Sequence, residues 1–130
     1  TTLNFIGVGN TFLYDQSNNT IDISISGGGA EETTSVSSTS ATSVLSFAHA
    51  SYRSASVLAQ ISQGSNYQVG RYLLIHDGTT VTVVEESSVA TGSMLGSFTG
   101  AISGSNLEFR VTMSSASSAT VVVKADKISA

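Results

Sequence analysis

Cysteine is missing from all 130 residues, so this chain can form neither disulfides nor thiolate metal sites. Proline is missing too, which leaves turn formation to Gly, Asn, Asp and Ser. Charged residues make up only 11%, against roughly 25% in ordinary globular domains. The five Lys and Arg are dispersed singly and the net charge is −4, so there is no cationic footprint for nucleic acid. No apolar run reaches the ~18 residues of a membrane-spanning helix, and no membrane insertion is expected. TTLNFIGVGN, at the start, has neither the basic nor the long apolar segment of a secretory signal.

Ser and Thr fill the space that charge vacates, at roughly 30% of the chain. Hydrophobic residues remain at 40%, enough for the core of one domain with a small appendage. Their spacing has period 2. LEFRVTM sets Leu107, Phe109, Val111 and Met113 against Glu108, Arg110 and Thr112, the alternation of a half-buried strand. SASVLAQIS places Ala55, Val57, Ala59 and Ile61 on one side, and TIDISIS does the same with Ile21, Ile23 and Ile25. ATVVVKAD is β-branched and closes the series. No window holds a convincing helical period; the stretch 51–60 comes nearest, and its Ser and β-branched content argues against helix.

Turn chemistry agrees with strands. SGSN at 103–106 separates two strand patterns, and Asp77-Gly78 is the strongest hairpin signal in the chain. A two-residue turn there sets 76 opposite 79, 74 opposite 81 and 72 opposite 83. Tyr72, Leu74, Val81 and Val83 then face the core, while Arg71, Leu73, Thr82 and Val84 form an outer face too apolar for free solvation. The reading is all-β: an antiparallel β-sandwich or jelly-roll-like domain over 44–130 with a short N-terminal β segment. SGGGAEETTSVSSTSATS reads as a Gly/Ser/Thr-rich connector, taken as 30–43. Residues 1–29 form an arm with too little surface for a core of its own, expected to pack on another subunit through Leu3, Phe5, Phe12, Ile21, Ile23 and Ile25. Leu73 and Val84 are the candidate assembly residues of the main domain.

Catalytic and ligand chemistry fares poorly against plainer readings. His76 and Asp77 with a nearby Ser evoke a nucleophilic triad, but adjacent strand residues point to opposite faces and Asp77 is needed in the turn. His49 has no second ligand at metal spacing, so it reads as a strand-end residue with a hydrogen-bonded ring. Glu31-Glu32 and Glu85-Glu86 diverge as neighbours, unlike the converging carboxylates of a glycosidase, and read as solvated positions or partners for Arg71. Asp15, Asn18, Asn19 and Asp22 lack the glycine and terminal Glu of an EF-hand loop, and an Asn-Asn turn accounts for them. Gly27-Gly28-Gly29 has no following Lys-Ser/Thr and is no phosphate loop. Among the tyrosines, Tyr52 and Tyr67 are the candidates for sugar contact, against the plain preference of Tyr for strands. No cofactor and no enzymatic activity are expected.

An ordered series of short motifs carries a further signal. Tyr-Arg-Ser-Ala at 52–55, Asn-Tyr-Gln-Val at 66–69, His-Asp-Gly-Thr at 76–79, Thr-Gly-Ser with Leu-Gly across 91–96, and Ile-Ser-Gly at 102–104 occur in that order. Over residues 44 to 125 the chain resembles a β domain recurrent in virion structural proteins of tailed bacteriophages, especially marine cyanophages. That resemblance implies a non-enzymatic fibre, neck, tail or capsid-surface component located in the virion. It implies a homo-oligomer, a trimer by preference, beside other virion proteins. A carbohydrate-binding or host-receptor-binding module at a fibre tip, meeting host-surface polysaccharide, is the alternative reading.

Overall fold

A computed structural model describes residues 11–24 and 30–130. Among them every regular element is a strand. β1 (Thr11–Asp15) and β2 (Thr20–Ser24) make a separate two-stranded hairpin. The remaining eight strands are β3 (Glu31–Val36), β4 (Thr42–Ala48), β5 (Tyr52–Gln63), β6 (Asn66–His76), β7 (Val81–Ala90), β8 (Gly96–Ser103), β9 (Asn106–Met113) and β10 (Ala119–Ser129). They form a five-stranded sheet, β3-β10-β5-β6-β7, and a three-stranded sheet, β4-β9-β8, with every pairing antiparallel. The expected β-sandwich is present.

Period-2 alternation decides which side of each strand enters the core. Ala55, Val57, Ala59 and Ile61 of β5 are all buried, as are Leu107, Phe109, Val111 and Met113 of β9 and Ala119, Val121, Val123 and Ala125 of β10. The centre is aromatic. Phe98 and Phe109 stack with centroids 4.8 Å apart and planes 7° from parallel, and Tyr72 leans on both at 4.9 and 5.4 Å. Such contacts add about 0.5–1.5 kcal/mol per pair beyond the area they bury.

Tyr72 reaches back along its own strand, so that a Cβ on Gly70 would sit 2.5 Å from the Tyr72 hydroxyl. Glycine is required there for clearance. Burial first, and then the charge of Glu85, push the Tyr72 hydroxyl up to about 12. Its oxygen has no hydrogen-bond partner among the described residues.

Two sequence expectations need correction. The 77–78 turn is a four-residue loop, because His76 pairs with Val81 and Leu74 with Val83 rather than with 79 and 81. One Asp77 oxygen accepts from the Thr79 and Thr80 backbone N–H groups at 2.9 and 2.7 Å and from the Thr79 hydroxyl, while Gly78 takes φ +102°. Capping by the carboxylate makes the longer loop the better one. A two-residue slip keeps each side chain on its face, so Tyr72 and Leu74 are still buried.

The second correction concerns 30–43, which is not connector throughout. Glu31–Val36 pairs with β10 as an edge strand, Val36 entering the core. An edge strand with only one buried side chain needs no apolar pattern, which is why EETTSV reads as linker.

Replacing Gly70 by Ala should cost about 1–3 kcal/mol in urea unfolding, since the Tyr72 ring cannot move without disturbing Phe98 and Phe109. Tyr72→Phe, which removes an unpaired hydroxyl and keeps the ring, should leave stability unchanged or raise it by up to ~1 kcal/mol. A large loss in Tyr72→Phe would mean that the hydroxyl is paired after all.

Candidate functional site

Among the described residues two polar side chains are buried, Gln68 and His76, and both act as ties. Strand alternation puts Gln68 on the inner face of β6, beneath the start of β8. Its Oε1 accepts from the Leu95 and Gly96 N–H groups at 2.5 and 3.2 Å, and its Nε2 donates to the Gly96 carbonyl at 2.9 Å. One amide side chain thereby joins the two sheets where β7 crosses into β8. At the other end of β6, the Gly78 N–H donates to His76 Nδ1 at 3.0 Å. Nε2 therefore carries the proton and donates it to the Tyr52 carbonyl 2.7 Å away. With both nitrogens engaged, His76 has no free atom for general-base work. Asp77 is turned to the loop, so no triad forms.

His49 lies in the turn after β4, its ring 5.7 Å from that of His76. Its expected ring hydrogen bond does not appear among the described residues. No group of three His, Asp or Glu side chains among these residues is placed to hold a metal. Asp15 spends its carboxylate on the β1–β2 turn, accepting from the Ser17 hydroxyl and N–H at 2.6 and 2.9 Å and from the Asn18 amide at 2.8 Å. Those contacts, the Ser17 hydroxyl foremost, hold its carboxyl below the ordinary range.

The acidic pairs do not meet Arg71. Arg71 pairs in register with Ser87, and a bulge follows before Tyr72 meets Glu85. Arg110 with Glu108, at 2.6 Å, is the ion pair found among the described residues. Glu31-Glu32 and Glu85-Glu86 sit on β3 and β7, the two edges of the five-stranded sheet.

Tyr52 and Tyr67 do not form one platform. They lie at opposite ends of the β5–β6 ladder, since Tyr67 pairs with Ser62, ten steps from Tyr52, or roughly 33 Å at 3.3 Å per residue. Tyr52 packs edge-on against Phe47 with the Lys127 ammonium 4.7 Å from its ring centroid, a structural role. Tyr67 is half exposed beside a cleft of about 180 Å³ that Gln60 and Thr91 also line.

A groove of about 510 Å³ lies on the outer face of the five-stranded sheet. Register places Ile128, Ser54, Ile75 and Thr82 in one row across β10, β5, β6 and β7, with Asp126, Ser56, Leu73 and Val84 in the next. The two serines make a low floor; Ile128 stands on one side and Leu73 and Ile75 on the other. Leu73 is 47% exposed, Ile75 54%, Val84 54% and Ile128 67%. Covering them would contribute about 1 kcal/mol each at the usual ~25 cal/mol per Å². The assembly candidates Leu73 and Val84 are thus side by side, and Ile75 and Ile128, which sequence reasoning missed, complete the patch. Ile75 was legible as the next outward position after Leu73.

Among the arm candidates, Ile21 and Ile23 are exposed on the β1–β2 hairpin. Phe12 is described only as a backbone position, opposite Ile23. Leu3, Phe5 and Ile25 lie outside the described residues.

No protein-family model matches the chain, and no curated protein does. Among solved structures it is similar to the tailspike protein of Acinetobacter phage vB_ApiP_P1, with a TM-score of 0.44 and 19% identity. That similarity covers 100% of this chain and 24% of the tailspike chain, so the chain spans about a quarter of its length.

Changing Gln68 to Leu should cost about 2–3 kcal/mol in denaturant unfolding, because two N–H groups and a carbonyl lose a buried partner. Asp77 gives a pH signature. Hydrogen bonds from the Thr80 and Thr79 N–H groups, then the Thr79 hydroxyl, hold its carboxyl down to about 2. A depressed carboxyl adds stability that is complete above its unfolded value near 4 and fades as pH falls towards 2. The melting temperature of the parent should therefore drop more steeply between pH 4 and pH 2 than that of Asp77→Asn. Parallel curves would contradict the capping role.

Proposed function

We propose that this chain is a non-enzymatic structural module of a phage virion, a fibre, neck or capsid-decorating component, that joins copies of itself through β-sheet contacts. The observation that carries this reading is the open apolar face formed by Leu73, Ile75, Val84 and Ile128 on the five-stranded sheet. An exposed patch of this kind, around a floor of Ser54 and Ser56, is what an assembly surface needs. The ordered motif series from Tyr52 to Gly104 adds the virion context. Its partners are further copies of itself, in a trimer by preference, and other virion proteins. The chemistry requires no cofactor.

A host-polysaccharide-binding role at a fibre tip is the second reading, favoured by half-exposed Tyr67 above its cleft with Gln60 and Thr91. A sugar ring stacked on Tyr67 could take hydrogen bonds from those two side chains. A glycan array with the parent and Tyr67→Ala separates the readings, since signal that survives the change cannot depend on this cleft.

Light scattering tests the assembly itself. The expected result is a mass at a multiple of 13.3 kDa, reduced to the monomer by Leu73→Asp with the fold retained by circular dichroism. A parent chain that is monomeric at high concentration overturns the reading. Labelling the chain in purified particles tests the virion assignment directly.

A further inference from the structure

The β1–β2 hairpin and the groove pose the same physical problem from two sides. In the hairpin, Tyr14 pairs with Ile21 and Phe12 with Ile23, so these positions share one face, while Leu13, Asp15, Thr20 and Asp22 share the other. Tyr14 is 56% exposed, Ile21 64% and Ile23 45%, so the sandwich of the same chain does not cover them. An isolated two-stranded hairpin is marginal in water, and this one places its larger apolar side chains where only another surface can bury them.

We infer that the groove on the five-stranded sheet receives the residue 11–24 hairpin of a second copy of this chain; the inference rests on the self-assembly proposed above. Shape is the first argument. Between Ile128 on β10 and Ile75 on β6 lie two strand spacings, roughly 10 Å, floored by Ser54 and Ser56. A hairpin is about that wide, and small residues beneath large ones let Tyr14, Ile21 and Ile23 enter rather than collide.

Charge is the second argument. Residues 11–24 hold two carboxylates, Asp15 and Asp22, and no cation. Next to the groove, Glu31, Lys124, Leu58 and Arg71 form a row across β3, β10, β5 and β6; Lys124 has Glu31 in register beside it, and Arg71 makes no ion pair among the described residues. Asp15 and Asp22 lie on the hairpin face turned away from the groove, so they make no ion pair with Arg71 there; the opposite signs steer the approach at a distance. The third argument is that both surfaces are open at once in a single chain, so the occupant comes from elsewhere.

The native absence of cysteine makes the test clean. Chains carrying Ile21→Cys and Ser56→Cys are co-expressed with different tags, oxidised, and examined on non-reducing gels. The expected result is a disulfide between differently tagged chains, at least several-fold above a pairing of Ile21→Cys with Thr99→Cys, an exposed position on the other sheet. If cross-linking occurs only within a doubly substituted chain, the hairpin docks on its own sandwich and the inference fails. If neither arrangement cross-links while the parent still scatters as an oligomer, the groove has another occupant; assembly stands and the inference fails. A monomeric parent chain removes the self-assembly reading and this inference with it.

Discussion

Everything in this sandwich depends on filling the gap between two sheets of unequal width. Three strands must cover the inner face of five, and the stack of Phe98 on Phe109 with Tyr72 across it sets the spacing at the centre. Away from that stack the lid runs out, and the inner face of β6 becomes polar at both ends, at Gln68 and His76. Neither is left unpaired. Gln68 holds the backbone of β8 at its first residues, and His76 holds the start of β5 and the β6–β7 loop. Buried polar groups specify geometry only when fully paired, so these two side chains locate the sheet ends that apolar packing alone would let slide.

Glycine supplies the remaining clearance. Gly70 gives the Tyr72 ring its place, and Gly100 on β8 admits Val81 and Val83 of β7 at the seam where the two sheets approach each other. At both positions a Cβ would occupy space already filled by a core side chain. The rigidity of this interior contrasts with the outer face of the same five-stranded sheet, where alternate residues of the same strands stand open to solvent.

How much of this was legible follows from where the information resides. The inward faces of β5, β9 and β10 could be read directly, because burial on one side writes period 2 into the side chains. The inward polar residues were readable in principle: stepping by twos back from Tyr72 past Gly70, and forward from Leu74, reaches Gln68 and His76. Their partners were not, since Leu95, Gly96 and Tyr52 offer only backbone atoms, which any sequence would supply. The slip at Asp77 arose because a dipeptide signal says nothing of a carboxylate reaching three residues ahead. β3 escaped notice because an edge strand is specified by the backbone of its neighbour. As for Tyr52 and Tyr67, spacing in the sequence could not reveal that a hairpin carries them to opposite ends of the ladder.

The edges bear on how copies could meet. A sheet that ends in free strands usually invites pairing edge to edge, and native proteins block it with charge and bulges. Here both outer strands carry an acidic pair, Glu31-Glu32 on β3 and Glu85-Glu86 on β7, and β7 is bulged beside its own pair. Where joining β3 or β7 of one copy to such an edge of another sets these carboxylates opposite each other, the like charges on adjacent strands are destabilising. The broad outer face carries no such block, with Leu73, Ile75, Val84 and Ile128 exposed around a serine floor. Charge thus marks both edges of the five-stranded sheet while its outer face is apolar, so in the assembly proposed above contact on that face meets less electrostatic opposition than extension of that sheet. The acidic pairs, which read in the sequence as solvated positions, place like charge on both edge strands of the five-stranded sheet, where it opposes edge-to-edge pairing.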